Sequence, residues 1–566
     1  MTSAPRVLLI GLDGATFDLL DPLMARGFMP HLQRLVARGV RGMLRSTDPY
    51  VTAPAWSSLV TGTRPDVHGI FDWSAREPGR YRRRLLDARA RRVPTFWELL
   101  SDRGIPAGTL NLPLSYPPTS RASFLVADMF TPSLDVAFTH PSALKQDLLM
   151  LGYQLDVHKR DYFREGFRPF VQALTQSVRT RGEALRLCLA RYPWRAAIGV
   201  FTETDRLQHA FWEHLQFEGA WNPDTLEAAY FYQTLDVELG RLLELVGEDT
   251  AVHVVSDHGF GAHRGAFYIN SWLEAQGYLV LKRESRPEQL VRRMARGGLS
   301  RGRGLLQDRL RGLGRPGEPM AKRLDQHLSG LEQGLGEGLT PDAPTVDWSK
   351  TVAFADTPHG IQLNVLGREP HGIVAAERYV SLRQTLAQAL EQVTDPRSGK
   401  PLHAQVLPRE ARFTGPQAGG APDLVYTFAD EGYSWRIGRP EHLKQGRLLE
   451  GLPLAVETLW ETGTHRSEGI LISAGPGIRT GGRLEGAQLW DVLPTLLYQL
   501  GEGCPSHLDG RVLEGLFEER YRQLHPVMPM MAQEEGLTPS PSATWGLQPE
   551  EEALVAERLR ALGYLG

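Results

Sequence analysis

The sequence predicts an α/β fold in which helices cover both faces of a doubly wound, mainly parallel central sheet. Short apolar runs recur along the chain, and each stops at polar or glycine-rich residues. Stretches with helical spacing separate these runs. Asp13, Asp205 and Asp257 each sit just after an apolar run. In such sheets ligands bind beyond the carboxyl ends of the strands, so the three carboxylates are expected to converge on one edge.

The elements follow in order. "RVLLIGLDG" reads as a buried strand ending in a turn, and "MPHLQRLVARGV" as a helix. "YVTAPAWSSLVTGTRPDVHGI", residues 50–70, places Thr52 just ahead of a proline-broken turn and a helix. The Thr52 hydroxyl has two readings there, helix cap or nucleophile. "PTFWELLSDRG", "FVQALTQSVRTRGEALRLCLAR" and "AAYFYQTLDVELGRLLELVG" read as helices. "SFLVADMF", "RAAIGVFTETD", "DTAVHVVSDHG", "KTVAFAD" and "GILISAGPG" read as strands.

Residues 282–345 break the pattern. From Lys282 to Arg323 thirteen Arg or Lys stand against four Asp or Glu, and the leucines recur at helical spacing broken by Gly and Pro. This is the pattern of an inserted basic helical cap or arm, with an anionic partner or substrate as its expected contact. The expected organisation is a core over 1–281, the insert over 282–345, the rest of the core over 346–526, and a Pro/Ser-rich linker with a terminal amphipathic helix over 527–566. There is no internal repeat.

Composition narrows the class. The chain has 566 residues, a net charge of −3 and two cysteines, Cys188 and Cys504. The overall charge points to neither nucleic acid nor an anionic membrane. Two cysteines make no disulfide framework and no cysteine-based zinc site. No stretch approaches the roughly 18 apolar residues of a membrane span, and the first apolar run is too short and too acidic for a signal peptide. The expected location is the cytoplasm.

Four motifs carry candidate chemistry. In "SDHGF", Asp257 and His258 are adjacent at a strand end and suit zinc or manganese; alone, such a pair is a turn. In "TETDRLQHAFW", Asp205 and His209 are four apart and share a helix face; the plain alternative is a cap and a surface histidine. "GLDG" adds Asp13 and "GTHRSEGILI" adds His465. Taken together, three carboxylates and three imidazoles fill two metal sites: Asp205, His209 and His465 in one, Asp13, Asp257 and His258 in the other. Two cations roughly 3.5–4 Å apart form the clamp used for displacement at phosphorus.

With these motifs on the page, the sequence resembles the alkaline phosphatase superfamily, closest to its nucleotide pyrophosphatase/phosphodiesterase branch. "GLDG", "TAPAWSSLVTGTRPDVHGI", "TDRLQH", "SDHGF", "GTHRSEG" and "LWDVLPTLLYQLG" carry the resemblance. It implies that Thr52 attacks phosphorus and is itself phosphorylated. It also implies that Asp13, Thr52, Asp257 and His258 bind one zinc, and Asp205, His209 and His465 the other. The expected activity is hydrolysis of a small phosphate ester, monoester or diester, with two divalent ions, zinc or manganese. A phosphomutase-type phosphoryl transferase and a non-catalytic scaffold on the same fold are the alternatives.

Three departures qualify the resemblance. The phosphodiesterase pattern has an Asn three residues after the threonine, and this chain has Ala55; Asn111 is the candidate replacement donor. The Pro-Arg signature of sulfatases is absent, and so is the serine motif of phosphoglycerate mutases. Ser57 and Ser58 fall inside the expected helix and are poor nucleophile candidates. His263 and Arg264 follow the Asp-His pair and are candidate substrate contacts, as are Asn364, Arg368 and Glu369. A monoester needs a cation near its free oxygens, with Arg206, Arg264, Arg368 and Arg466 as candidates. A diester needs an apolar surface, with Trp56, Phe211 and Phe260.

Overall fold

Nine strands form the central sheet of the computed structural model. The structure describes residues 6–157, 166–282, 346–395, 397–437, 447–448, 454–456, 461–528 and 545–561. In chain order the strands are β1 (Arg6–Leu12), β2 (Val40–Arg45), β3 (Ala107–Leu110), β4 (Phe124–Val126), β5 (Thr139–His140), β6 (Ala196–Phe201), β7 (Thr250–Val255), β8 (Glu468–Ala474) and β9 (Arg483–Gln488). Their spatial order is β9-β2-β8-β7-β1-β6-β3-β4-β5. The pairs β1–β6, β1–β7, β3–β6, β3–β4 and β2–β9 are parallel. The strand β8 runs antiparallel between β7 and β2, and β5 antiparallel to β4.

The central strands are largely apolar because helices cover both their faces. Val7, Leu8, Ala196, Ile198 and Val254 are fully buried. The covering helices include Phe167–Arg191 and Pro223–Val246, which pack on each other, and Val492–Leu500, in which every residue is buried.

A second, smaller unit sits beyond the carboxyl edge. Its antiparallel sheet runs in the order Ala353–Phe354, Gly360–Leu363, Leu424–Phe428, His403–Pro408. The helix Ala376–Glu391 covers it through Leu386 and Leu390. Its apolar cluster also takes in Tyr50 and Tyr81 from the first part of the chain, so the two units share a packed boundary.

The basic segment expected as a cap lies almost wholly outside the described residues, as does the Pro/Ser-rich linker. Leu281 and Val346, which flank the basic segment, pair in an antiparallel bridge. The terminal helix, Pro549–Ala561, docks on its own chain: Glu552 Oε1 accepts from Leu85 N (2.8 Å) and Arg558 donates to Thr131 O (2.6 Å). Among the described residues no helix is long and apolar enough to cross a membrane.

Candidate active site

The strand order explains why three distant aspartates meet. The strand β1 lies between β6 and β7, and Asp13 follows its last residue. The turn needs Gly14 at φ +67°, a conformation that favours glycine, and Gly14 N donates to Asp257 Oδ1 (3.2 Å). After β6 the chain enters the helix Glu203–Phe211, which carries Asp205 and His209 on one face. Asp257 and His258 follow β7. All three carboxylates and His258 are fully buried.

His465 arrives by a different route. It lies inside the strand Gly463–Arg466, which pairs antiparallel with Gly259–Ala262 and sets Phe260 opposite His465. It is therefore part of a ribbon and not a loop histidine. The Phe260 ring packs against His209 at 4.7 Å and His465 at 5.4 Å. Trp56 Nε1 donates to Asp13 Oδ2 (3.2 Å).

The structure brings all seven expected residues together. Asp13, Asp257 and His258 form one group whose ligand atoms lie within 4.8 Å of one another. Asp205, His258 and His465 form another, so His258 stands between the two sets. His209 joins the second set: its Nε2 is 3.4 Å from Asp205 Oδ1 and 2.8 Å from His465 Nε2.

Thr52 is the first residue of the helix Thr52–Thr61, and Val51 is its cap. The capping reading of the hydroxyl is thereby overturned: extended Val51 starts the helix without a side-chain cap. Pro54 fits the first turn because N–H groups there have no intrahelical acceptor. Thr52 Oγ1 is fully buried and 3.4 Å from His258 Nε2. Ser57 and Ser58 do fall inside the helix, and Ser58 Oγ is 2.9 Å from His68 Nε2.

The donor set fits a cation. Asp13 Oδ1 and Asp257 Oδ2 are buried oxygens with no hydrogen-bond partner. His209, His258 and His465 each turn Nδ1 to a backbone carbonyl, of Gly463, Gly259 and Tyr50, at 3.1–3.3 Å. A carbonyl only accepts, so each Nδ1 donates, and in the neutral ring Nε2 is then the atom available to a metal. Burial, then the charges of Asp257 and Asp205, pushes Asp13 well above the carboxylate range. Burial likewise raises Asp257, whereas in Asp205 it is outweighed by His209, His465 and Arg206, which hold the carboxyl well down. Burial lowers His258 and His465. A divalent ion would reverse the cost of ionising Asp13 and Asp257.

The remaining candidates are placed elsewhere. Asn111 is buried just past β3 at φ 57°, and its Nδ2 donates to Val200 O (3.0 Å) and Thr202 Oγ1 (3.5 Å), which engages the amide expected as a phosphoryl donor. His263 lies between Glu461 O (3.0 Å) and Ser434 Oγ (2.9 Å). Arg264 is exposed and paired with Asp430 (2.5 Å). Arg368 and Glu369 belong to the smaller unit, where Arg368 pairs with Asp423. Sequence reasoning passed over Asp356 and Arg76, an ion pair at 2.6 Å on the boundary between the units. The signal was present for Asp356, which also ends an apolar run, "KTVAFAD".

A family model described as type I phosphodiesterase / nucleotide pyrophosphatase matches residues 7–465. No curated protein matches the sequence. Among solved structures, phosphonoacetate hydrolase from Sinorhizobium meliloti 1021, in complex with phosphonoformate, superposes with a TM-score of 0.52 at 17% identity, over 88% of this chain and 96% of that one. Murine ectonucleotide pyrophosphatase / phosphodiesterase 5, an inactive form in complex with AMP, gives a TM-score of 0.49 at 14% identity, over 91% of this chain and 100% of that one.

Proposed function

The chain belongs to the type I phosphodiesterase / nucleotide pyrophosphatase family, and from that premise we propose that it is a two-metal phosphohydrolase with Thr52 as nucleophile. The observation that carries this reading is the position of Thr52 Oγ1, 3.4 Å from His258 Nε2, on a helix it does not cap. Asp13, Asp257, His258 and Thr52 would hold one ion; Asp205, His209 and His465 would hold the other. Mixed oxygen and imidazole donors favour zinc, with manganese second.

Bound there, divalent ions would supply charge stabilisation at the phosphoryl oxygens and a lowered pKa for the attacking hydroxyl. Thr52 Oγ1 forms a bond to phosphorus as the ester oxygen leaves, and water then opens the phosphothreonine. The start of the helix Thr52–Thr61 favours negative charge on the group transferred. Trp56 and Gly14 fix the orientations of Asp13 and Asp257 through their N–H groups. Arg206, paired with Asp205 (2.5 Å) and Asp156 (2.9 Å), fixes the third carboxylate.

Diesters are the favoured substrates. The four guanidiniums considered for a monoester are engaged: Arg206 with Asp205 and Asp156, Arg264 with Asp430, Arg368 with Asp423, and Arg466 with the Ala262 carbonyl. Of the apolar candidates, Phe260 is buried behind His209 and His465, so an apolar arm of a diester would rest on other residues. The test compares bis(4-nitrophenyl) phosphate with 4-nitrophenyl phosphate on zinc-loaded protein. Faster turnover of the diester supports the reading, and turnover of neither refutes it.

A further inference from the structure

A cavity of about 380 Å³ lies beside the cluster, between the central sheet and the smaller unit. That is within the size range of small-molecule sites. None of the seven cluster residues lines it, but its wall joins the cluster at Tyr50. Tyr50 is two residues before Thr52, and its carbonyl accepts the His465 Nδ1 proton (3.1 Å). The Tyr50 ring packs edge-on to Trp435 at 5.0 Å, and Trp435 in turn lies 5.1 Å from His359. A substrate with its phosphorus near Thr52 would extend one arm into this space.

The wall chemistry is specific. Asp356 is almost fully buried, and its Oδ2 accepts from Arg76 Nε (2.8 Å), with Arg76 Nη2 at 2.6 Å and Arg83 Nη1 at 3.5 Å. Its Oδ1 is buried with no hydrogen-bond partner. Aromatic rings make other parts of the wall, with Phe71 and Phe413 edge-on at 5.2 Å, and Tyr50 with Trp435. The cavity's charges are matched: Arg76 pairs with Asp356 and Glu369, Arg83 with Asp72, and Arg412 with Asp48. A second anionic group would therefore gain little here.

An ionised acceptor flanked by guanidinium donors suits adjacent hydroxyl groups. One hydroxyl donates to the carboxylate while its neighbour accepts from a guanidinium. An aromatic wall covers the C–H face of a saturated ring. We propose that this cavity binds a polyhydroxylated ring, a sugar or a cyclitol, as one alcohol of the phosphate ester, with Asp356 as the specificity-determining acceptor. The proposal rests on the phosphohydrolase reading for its chemistry but not for its binding.

Two measurements on the full-length, metal-loaded protein test it. The first is saturation-transfer NMR with free methyl hexosides, myo-inositol, uridine and choline. A hexoside or inositol should bind at millimolar concentration, the two arms telling sugar from cyclitol, and Asp356→Asn should weaken that binding at least tenfold. The second is kcat/KM for 4-nitrophenyl phosphodiesters whose other alcohol is methyl, hexose, inositol or uridine. The hexose or inositol ester should exceed the methyl ester at least tenfold, since a site built for hydroxyls discriminates strongly against analogues lacking them. In Asp356→Asn that ratio should fall below twofold. The wild-type ratio needs no variant, so a misfolded Asp356→Asn does not shelter the proposal. Turnover of the methyl ester with no ring preference and no ring binding overturns the proposal and leaves the hydrolase reading standing. Ring binding with no ester turned over does the reverse, and preference for uridine overturns the proposal.

Discussion

His209 Nε2 and His465 Nε2 lie 2.8 Å apart, and the Nδ1 of each ring faces a backbone carbonyl. Both Nδ1 atoms donate, so in the neutral rings the two Nε2 atoms face each other and Asp205 Oδ1, 3.4 Å from each. A shared proton or a bound cation satisfies these acceptors, and a cation serves all three at once. The buried oxygens of Asp13 and Asp257 make the same demand from the other side of His258.

The first prediction follows. Chelation should abolish ester hydrolysis and lower the melting temperature, and zinc should restore both. An ion at about 100 times its Kd adds about 2.7 kcal/mol to stability. Elemental analysis and thermal unfolding check this; a metal-free protein of unchanged activity and melting temperature excludes the two-metal reading.

Thr52→Ala should lower kcat by several orders of magnitude, towards the roughly 10⁶-fold seen when a nucleophile is removed. It should leave the fold intact, because the helix does not use this hydroxyl as a cap, and should weaken only the ion held with Asp13, Asp257 and His258. Thr52→Ser should keep part of the activity. Acid-quenched turnover followed by peptide mass spectrometry should find the phosphate on the Thr52 peptide.

Gly11→Ala should damage the site from beneath. A Cβ there would stand 2.5 Å from Trp56 Cη2 and 3.0 Å from Val200 Cγ2. Overpacking of this kind costs about 1–3 kcal/mol. Because Trp56 holds Asp13, activity and metal affinity should fall as well, even where the protein is still folded. Urea unfolding and a zinc titration measure the two effects separately.

Acid should destabilise the protein through histidines outside the cluster. Burial lowers His68 to about 3 and His253 and His403 to about 4 from an ordinary value near 6.5. Between those limits the unfolded chain binds protons that the folded chain does not. Stability is therefore present above pH 6.5 and is lost as pH falls towards 4, by up to about 1.4 kcal/mol per pH unit for each histidine. Urea midpoints across this range check it, and His253→Gln should flatten the slope by one proton.

The sheet and the aspartates were legible because an apolar strand must stop where polar chemistry begins. Asp13, Asp205 and Asp257 all follow that rule, and the helical spacing of Asp205 and His209 is a property of a few consecutive residues. Less was legible where partners are far apart in sequence. Asp356 carries the same signal as the three cluster aspartates, but its partner Arg76 is 280 residues away and nothing local announces it. Asn111 looked like a spare donor, and only the neighbouring strand β6 reveals that its amide is engaged by Val200 and Thr202. The antiparallel direction of β8 was hidden for a similar reason: strand direction depends on where the intervening chain goes.

The placement of β1 between β6 and β7 also has a kinetic meaning. Val7 pairs with Ala196 and with Ala251, so the scaffold of the cluster closes only after two loops of about 190 and 240 residues have been drawn together. Pairings of such long range form slowly and late. During refolding, catalytic competence should therefore lag behind helix formation, and regained turnover should serve as a clock for completion of the central sheet.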